Sequence, residues 1–247
     1  KTKDHRVALK LKPLVKYHLI TELMGLGNQC KVLSFAELAP LFLKANHPWS
    51  QTTYAMNKNI LESHLNGKPL PSNPSSLAAH ISHINQCWSW GLKNNLISKT
   101  NKLPGNTKTE ARHRTYTKDE LNRMFQNIQD NNFNKFVQLA YYTGARSGEI
   151  RTLTRDQVLE DSLIVRGKTG QRIVKLNSQA KDIIHNQHVP WHYRKDFVSH
   201  KFKKEARRLG IRNARFHDIR RTFGLNLIKQ GMSIYKVSKL LGHKSVR

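Results

Sequence analysis

The sequence predicts a mainly α fold of the α+β class, in which a helical domain is followed by a mixed domain with a small antiparallel β-sheet. Two patterns indicate this. Along most of the chain, apolar residues recur every three or four positions, as they do in amphipathic helices. Between residues 163 and 176, however, two runs rich in β-branched residues flank Gly167-Lys168-Thr169-Gly170, which is a hairpin-turn sequence.

Residues 1–33 are basic and weakly patterned, and a helical domain is predicted for residues 34–98. Its first helix is expected after the capping box Ser34-Phe35-Ala36-Glu37, its second from Ser50 to Leu65 and its third from Pro74 to Asn95. The third helix has an apolar stripe formed by Leu77, Ile81, Ile84, Trp88 and Leu92. We expect the tryptophan of this stripe to pack in the core rather than to stack on bases.

Residues 99–115 change character and are predicted to form an extended linker. They are rich in Pro, Gly, Asn and Lys and have few apolar residues to anchor them. Arg112 and Arg114 lie near the end of this segment, and in a chain with a formal net charge of +27 they are candidates for DNA contact. A basic linker between two basic domains favours a clamp that closes around a duplex, although an ordinary solvated tether would have the same composition.

Residues 116–247 are predicted to form the mixed domain. It begins with a second capping box, Thr117-Lys118-Asp119-Glu120, and its second helix is expected to end at Thr143-Gly144. A turn at Arg146 and a short helix from Ser147 precede the hairpin. Further helices are expected over about 178–187, over about 196–209, from Phe216 onward, and from Ser233 to Gly242. The last of these is expected to bury Ile234, Val237, Leu240 and Leu241.

The formal net charge of +27 indicates a polyanionic partner, because so much like charge repels itself within a compact chain. The basic residues are spread along the whole sequence, which favours a broad surface for double-stranded DNA over a single basic arm. Within the 196–209 helix we expect Lys203, Lys204 and Arg207 to contact DNA phosphates. A membrane is disfavoured as the anionic partner, because no apolar run approaches the roughly 20 residues that span a bilayer and no signal-peptide pattern opens the chain.

Neither a metal ion nor another cofactor is expected. Cys30 and Cys87 lie far apart without partners at metal-ligand spacing, so we expect free thiols in a reducing cytoplasm. Three histidines lie close together in sequence, namely His185, His188 and His192. Pro190 interrupts them, and no cysteine or carboxylate completes a tetrahedral zinc set, which disfavours a zinc site.

Five cationic side chains occupy unusual positions: Arg146 in a turn, Lys168 on a hairpin tip, His217 and Arg220 on one helix face, and His243 after a helix stop. Two arginines can hold the non-bridging oxygens of a phosphodiester and offset charge that develops in its transition state. A mobile lysine can protonate a leaving oxygen, and histidines can accept a proton or hydrogen-bond a phosphate. Together these residues predict an anion-binding, proton-transferring site that needs no metal.

This pattern resembles the tyrosine recombinase family of the phage-integrase type. The matching segments are Thr143-Gly144-Ala145-Arg146-Ser147-Gly148-Glu149-Ile150, Lys168 in the hairpin, His217-Asp218-Ile219-Arg220, and Leu240-Leu241-Gly242-His243. The resemblance covers residues 116–247, the family's catalytic domain, and the helical domain looks like its core-binding domain. Each motif alone is weak, whereas four in the family's order are a specific signal.

The resemblance implies a role for each matching residue. Arg146 and Arg220 would clamp the scissile phosphate, and Lys168 would be the general acid for the 5′-hydroxyl leaving group. His217 would assist proton transfer from the nucleophile, and His243 would hydrogen-bond the phosphate. Glu149 would be a supporting residue that orients the site. The family's tyrosine attacks the DNA backbone and forms a 3′-phosphotyrosyl link that conserves bond energy, so that religation needs no ATP.

The sequence departs from the family pattern at the nucleophile. The family's tyrosine follows the residue that matches His243, whereas the four residues after His243 contain no tyrosine. The remaining candidates are expected to be packing residues, namely Tyr116, Tyr141, Tyr142 and Tyr235. We therefore expect the nucleophile beyond Arg247, and we expect this polypeptide to bind DNA without cleaving it.

Three functions fit these expectations. The first is a site-specific DNA recombinase that integrates or excises a mobile element such as a phage genome, acting as a homo-tetramer on two duplexes, with possible DNA-bending accessory proteins. The second is a non-catalytic DNA-binding regulator of the same fold. The third is a type IB topoisomerase, which shares the phosphate chemistry but relaxes one duplex instead of exchanging strands between two.

Overall fold

The computed structural model describes residues 33–108, 111–167, 170–186 and 191–243. It divides the chain into two compact units, Lys1–Ala111 and Arg112–Arg247, which are called the first and second unit below. Over the described residues the structure is mainly helical, with a small two-stranded antiparallel sheet. This confirms the predicted fold class.

Three helices form the described part of the first unit: α1 (Phe35–Lys44), α2 (Gln51–Leu65) and α3 (Pro74–Lys93). The predicted capping box starts α1, because the Glu37 N–H donates to Ser34 Oγ at 3.3 Å and the Ser34 N–H donates to Glu37 Oε2 at 3.0 Å. The second helix was predicted from Ser50; in the structure Ser50 is its N-cap and the helix begins at Gln51. The helix starts of this unit therefore follow from local side-chain chemistry.

The buried face of α3 differs from the predicted stripe. Leu92 was expected to be buried, but it is 44% exposed, and the tryptophan at 88 is only half-buried against the core. The face that packs inward is instead formed by Ala78, Ile81, Ile84, Cys87 and Gly91. A Cβ at Gly91 would lie 2.8 Å from the Leu38 methyl groups, so the small residue lets α1 approach closely. The close approach of α1 and α3 therefore requires small residues on the inward face of α3, and the largest apolar side chains of α3 lie further from the core.

The second unit contains the remaining described elements. They are α4 (Lys118–Asn127), α5 (Asn131–Thr143), α6 (Ser147–Arg151), a 3₁₀ turn (Arg155–Gln157), β1 (Ser162–Gly167), β2 (Gly170–Lys175), α7 (Ser178–His185), α8 (Lys195–Arg208), α9 (His217–Lys229) and α10 (Ile234–Leu241). Helix α5 is central and packs against α4, α6, α7 and α9. Its side chains Phe133, Phe136, Val137 and Leu139 are fully buried. The apolar period that predicted this helix therefore also marks the core of the unit.

The strands β1 and β2 form the predicted hairpin. Their antiparallel register pairs Leu163 with Val174 and Val165 with Arg172. Side chains alternate across a strand, so Arg172 lies on the same face as buried Val174, whereas Ile173 on the other face is 63% exposed. The predicted catalytic residue Lys168 lies outside the described residues.

Helix α10 ends as predicted at Gly242, which adopts a left-handed conformation with φ of 65°. Its buried face was predicted only in part. Val237 and Leu241 are buried, but Ile234 is 63% exposed and Leu240 is 44% exposed. In the parts of the chain that the structure describes, no helix has the length and apolar character needed to cross a membrane.

Candidate active site

Arg146 lies at the junction between α5 and α6, where the short helix α6 fixes its position. Its backbone N–H donates to Glu149 Oε2 at 2.8 Å, and its guanidinium Nη1 donates to Glu149 Oε1 at 2.7 Å. A carboxylate in the first turn of a helix is also favoured by the helix dipole. The Arg146 side chain remains 27% exposed, so part of its guanidinium faces solvent.

Arg220 is held against the ends of two helices. It donates from Nη1 to the Gly144 carbonyl at 2.7 Å and from Nη2 to the Leu241 carbonyl. The last carbonyls of a helix have no partner within the helix and carry partial negative charge, so a buried guanidinium suits this position. Gly144 has a φ of 61°, and a Cβ there would overlap the ring of Phe223, so glycine is required at this point.

Glu149 connects the arginines of the site. Besides Arg146, it accepts two hydrogen bonds from Arg172, at 2.6 and 2.9 Å, and Arg220 Nη1 lies 4.0 Å from its Oε2 atom. Burial tends to raise the pKa of this carboxyl, but hydrogen bonds from Arg172 and Arg146 outweigh it and lower the pKa to about 2. Glu149 is therefore ionised at neutral pH, and three guanidinium groups surround one carboxylate.

Burial and the charges of Arg146 and Arg172 lower the pKa of Arg220 to about 9, although Glu149 acts in the opposite direction. Arg220 is therefore still protonated at neutral pH. The three arginines carry two more positive charges than Glu149 neutralises. Such a surplus of charge, in a place where Arg146 reaches solvent, can be offset by an anion.

The two predicted histidines share this environment. His217 begins α9, and His243 follows Gly242, where its N–H donates to the Ser238 carbonyl at 3.0 Å. Partial burial lowers the pKa of both rings, and the charges of Arg220 and Arg146 lower it further. Both rings are therefore mainly neutral at pH 7, the form that can accept a proton. We call Arg146, Glu149, Arg172, His217, Arg220 and His243 the cationic site.

The structure thus brings together most of the side chains that the sequence singled out. The members of this set are Arg146, Glu149, His217, Arg220 and His243. Sequence reasoning missed Arg172, which also donates from Nε to the Leu240 carbonyl at 3.0 Å. The signal that could have revealed it is strand alternation, which places Arg172 on the inward face with Val174.

A second carboxylate beside the site organises the segment before α4. Asp218 is fully buried and accepts hydrogen bonds from Arg112, at 2.7 and 3.0 Å, from Arg221 at 3.0 Å, and from the Arg215 N–H at 3.0 Å. Arg112 also donates to the carbonyl of Asn213. Asp218 therefore holds the first residues of the second unit against the start of α9.

The predicted DNA-contacting residues fall into two groups. Arg112 is engaged by Asp218, and Arg114 forms an ion pair with Glu120 at 2.5 Å. The other three, Lys203, Lys204 and Arg207, are exposed on α8. Two of these three also line a cleft of about 620 Å³, together with Arg212 and Arg215. DNA contact by all five residues stays a prediction, and exposure favours the three on α8.

The structure shows no group of three metal-ligating side chains within the described ranges. His188 lies outside those ranges, and His185 and His192 are both exposed. The cationic site itself contains a single carboxylate, already bonded to arginines, and is therefore suited to an anion rather than to a metal cation.

Comparisons with known proteins identify the family of this chain and structures of similar fold. The model of the phage integrase family matches residues 114–247, which is more than half of the chain. A search of curated protein sequences with this chain found no significant match.

Several solved structures have a similar fold. Lambda integrase (residues 75–356) bound to DNA superposes with a TM-score of 0.71 at 18% identity, covering 87% of this chain and 93% of that one. A lambda integrase tetramer bound to a Holliday junction superposes with a TM-score of 0.70 at 16% identity, covering 99% of this chain and 89% of that one. The Tn1549 transposon integrase in complex with transposon right end DNA has a TM-score of 0.69 at 13% identity, covering 86% of this chain and 92% of that one. By its family match, the chain belongs to the phage integrase family, the tyrosine recombinases.

Proposed function

We propose that this protein is a site-specific DNA recombinase whose cationic site holds one backbone phosphate of duplex DNA. The observation that carries the proposal is the surplus of positive charge around Glu149, in an environment that His217 and His243 share. A phosphodiester carries one negative charge and two non-bridging oxygens, which match a pair of guanidinium groups. Solved structures of similar fold include integrases bound to DNA, which supports the same partner here.

Each residue has a chemical task in this proposal. Arg146 and Arg220 bind the non-bridging oxygens and stabilise the charge that develops on them in the transition state. A tyrosine oxygen forms a bond to phosphorus, and the bond to the 5′-oxygen breaks. His217 accepts the tyrosine proton, Lys168 donates a proton to the 5′-oxygen, and His243 hydrogen-bonds the phosphate. The 3′-phosphotyrosyl link conserves the bond energy, and the reverse reaction rejoins the strand.

Three of the described tyrosines are poorly suited to be the nucleophile. Tyr116 donates to the Arg215 carbonyl at 2.8 Å, and its burial raises its pKa. Burial likewise raises the pKa of Tyr193 to about 12. Tyr235 was expected to be a packing residue but is 58% exposed; it lies on α10, before His243, whereas the family's tyrosine follows the matching residue. We therefore propose that the nucleophile is not among them, and that the 247-residue polypeptide binds DNA without forming a covalent adduct, which denaturing gel electrophoresis with labelled duplex would detect.

The domain assignment is part of the same proposal. Residues 34–98 would act as a core-binding domain, 99–115 as a linker and 116–247 as the catalytic domain. Integration or excision of a mobile element by a homo-tetramer is the corresponding reaction, and the similar lambda integrase tetramer on a Holliday junction supports that assembly.

Binding to DNA is expected to weaken steeply with salt. If six or more phosphates are contacted, affinity for duplex DNA should fall roughly 10³-fold between about 50 and 200 mM salt, because condensed counterions are released on binding. The combined variant K203Q/K204Q/R207Q should lower the slope of log affinity against log salt by about 3. Fluorescence anisotropy with a labelled duplex measures both quantities.

The matched control removes three exposed lysines from other elements, as K118Q/K175Q/K229Q. It changes the net charge equally but leaves the α8 surface intact, so its salt slope should stay closer to that of the unaltered protein. Equal slopes for the two triple variants would show that binding reflects net charge alone and would remove α8 from the DNA surface.

A further inference from the structure

Arg172 connects three elements that carry the cationic site. From strand β2 it donates two hydrogen bonds to Glu149 on α6, at 2.6 and 2.9 Å. Its Nε donates at 3.0 Å to the carbonyl of Leu240, three residues before His243. A guanidinium has five N–H donors in a fixed plane, and at least three are directed at these two partners. Arg172 therefore links the hairpin, the turn that holds Arg146 and the end of α10.

Both strands of the hairpin approach the Glu149 carboxylate, β2 through the Arg172 side chain and β1 through the backbone of Gly167. A Cβ at Gly167, at the end of β1, would lie 2.6 Å from Glu149 Oε1, so the β1 backbone passes directly over it. On the other side, a Cβ at Gly242 would lie 3.0 Å from Arg172 Cδ, so the α10 cap covers the arginine stem. The Arg172 side chain is only 12% exposed, compared with 27% for Arg146. All three side-chain nitrogens of Arg172 donate to protein acceptors, so its position suits holding protein groups together.

We propose that Arg172 is a positioning residue for the phosphate site. Through Glu149 it fixes the orientation of the Arg146 guanidinium, and through the Leu240 carbonyl it fixes the hairpin relative to His243. This inference rests on the proposed function, because the positioned groups are those proposed to bind the phosphate. It assigns a role to a residue that neither contacts the phosphate nor transfers a proton.

The conservative variant R172K separates this role from a simple contribution of charge. Lysine keeps the positive charge, but its ammonium group cannot make a planar bidentate contact with Glu149 and also reach the Leu240 carbonyl. If only charge mattered, R172K would behave like the unaltered protein. If directed hydrogen bonds matter, R172K should resemble R172Q.

The test measures inorganic phosphate binding through the ring resonances of His217 and His243 in ¹³C-labelled protein at pH 7. We expect phosphate to shift both resonances in the unaltered protein. We expect the dissociation constant to rise about tenfold in R172K and in R172Q, a change within the range of coupled neighbouring residues. The matched control is R166Q, which removes an exposed arginine from the same hairpin and should change the constant less than about twofold.

A double-mutant cycle with E149Q tests the route of the effect. If Arg172 acts through Glu149, adding R172K to E149Q should weaken phosphate binding by less than about twofold more. Additive effects would overturn that route. Circular dichroism of each variant checks folding, and R172K, which retains the stem and charge, keeps the test decisive if R172Q unfolds.

The outcomes separate the inference from the proposed function. If the unaltered protein shows no saturable phosphate response at either histidine, the phosphate site itself fails, and the positioning role fails with it. If the unaltered protein responds and R172K binds phosphate as R166Q does, the site stands and the positioning role is overturned.

Discussion

Replacing Glu149 with alanine is expected to destabilise the second unit by about 3–5 kcal/mol, as is typical when one partner of a buried ion pair is removed. Glu149 is 1% exposed and accepts hydrogen bonds from Arg146 and Arg172. Without it, these arginines and nearby Arg220 would repel each other in a poorly solvated space. Hydrogen exchange over peptides from 112–247 would report the loss as faster exchange.

The matched control for this substitution is E160A, at an exposed glutamate after the 3₁₀ turn. It also removes one carboxylate but no buried partner, so its effect should be within about 0.5 kcal/mol. Equal exchange rates in E149A and E160A would mean that the arginines do not depend on Glu149, contrary to the hydrogen bonds of the site.

The same carboxylate predicts a pH dependence of stability. Its pKa is lowered from 4.5 to about 2 in the folded protein, so the folded state binds fewer protons than the unfolded state between these values. The stabilisation, about 3 kcal/mol, is fully present above pH 4.5 and is lost as the pH falls toward 2. In E149Q this contribution to the acid dependence should disappear.

Replacing Asp218 with alanine should have an effect of similar size, about 3–5 kcal/mol. Asp218 is fully buried and accepts hydrogen bonds from Arg112, Arg221 and the Arg215 N–H. Its loss should release residues 112–115 from α9, and hydrogen exchange should rise first in peptides that contain this segment. Asp218 also raises the pKa of His217, so the variant should lower that pKa, measurable by NMR titration.

A suitable control is D196A, because Asp196 is the second residue of α8 as Asp218 is of α9, but is exposed. It tests the effect of losing a first-turn carboxylate alone, worth about 0.3–1 kcal/mol. If D218A is no more destabilising than D196A, the arginine cluster around Asp218 does not stabilise the fold.

Much of the fold could be predicted because its signals are local. The capping boxes at Ser34 and Thr117 begin helices as predicted, and Gly144 and Gly242 end helices in the left-handed conformation. Each signal depends on hydrogen bonds or backbone angles within a few residues. The hairpin was likewise predictable from its turn.

The buried faces of α3 and α10 were predicted only in part, because tertiary packing decides which apolar residues of a helix are buried. Leu92 and Leu240 have the apolar character and spacing of core residues, but both are 44% exposed. The inward face of α3 is set by Gly91, because only a glycine lets the Leu38 side chain come so near. The helical period of the apolar residues shows that one side of a helix is apolar. It does not show which residues of that broad stripe face the core directly.

In the cationic site, the residues predicted from the sequence were those with recognisable motifs around them. Arg172 was missed because its partners, Glu149 and the Leu240 carbonyl, lie 23 and 68 residues away in sequence. The contact between Arg112 and Asp218 spans 106 residues, so Arg112 was interpreted as a free basic residue of a linker. The partners of Arg172 and Arg112 cannot be inferred from local sequence pattern, because these contacts depend on how α6, β2, α9 and α10 pack together.

The central claim is that Arg146 and Arg220 bind one and the same phosphate. The most direct measurement is a crystal structure of the protein with a DNA duplex, or with orthovanadate as a tetrahedral oxyanion. The account predicts a single oxyanion whose oxygens lie within about 3 Å of both guanidinium groups, with His217 and His243 beside it. An oxyanion bound by only one of the two arginines, or DNA whose phosphates all lie away from Glu149, would contradict it.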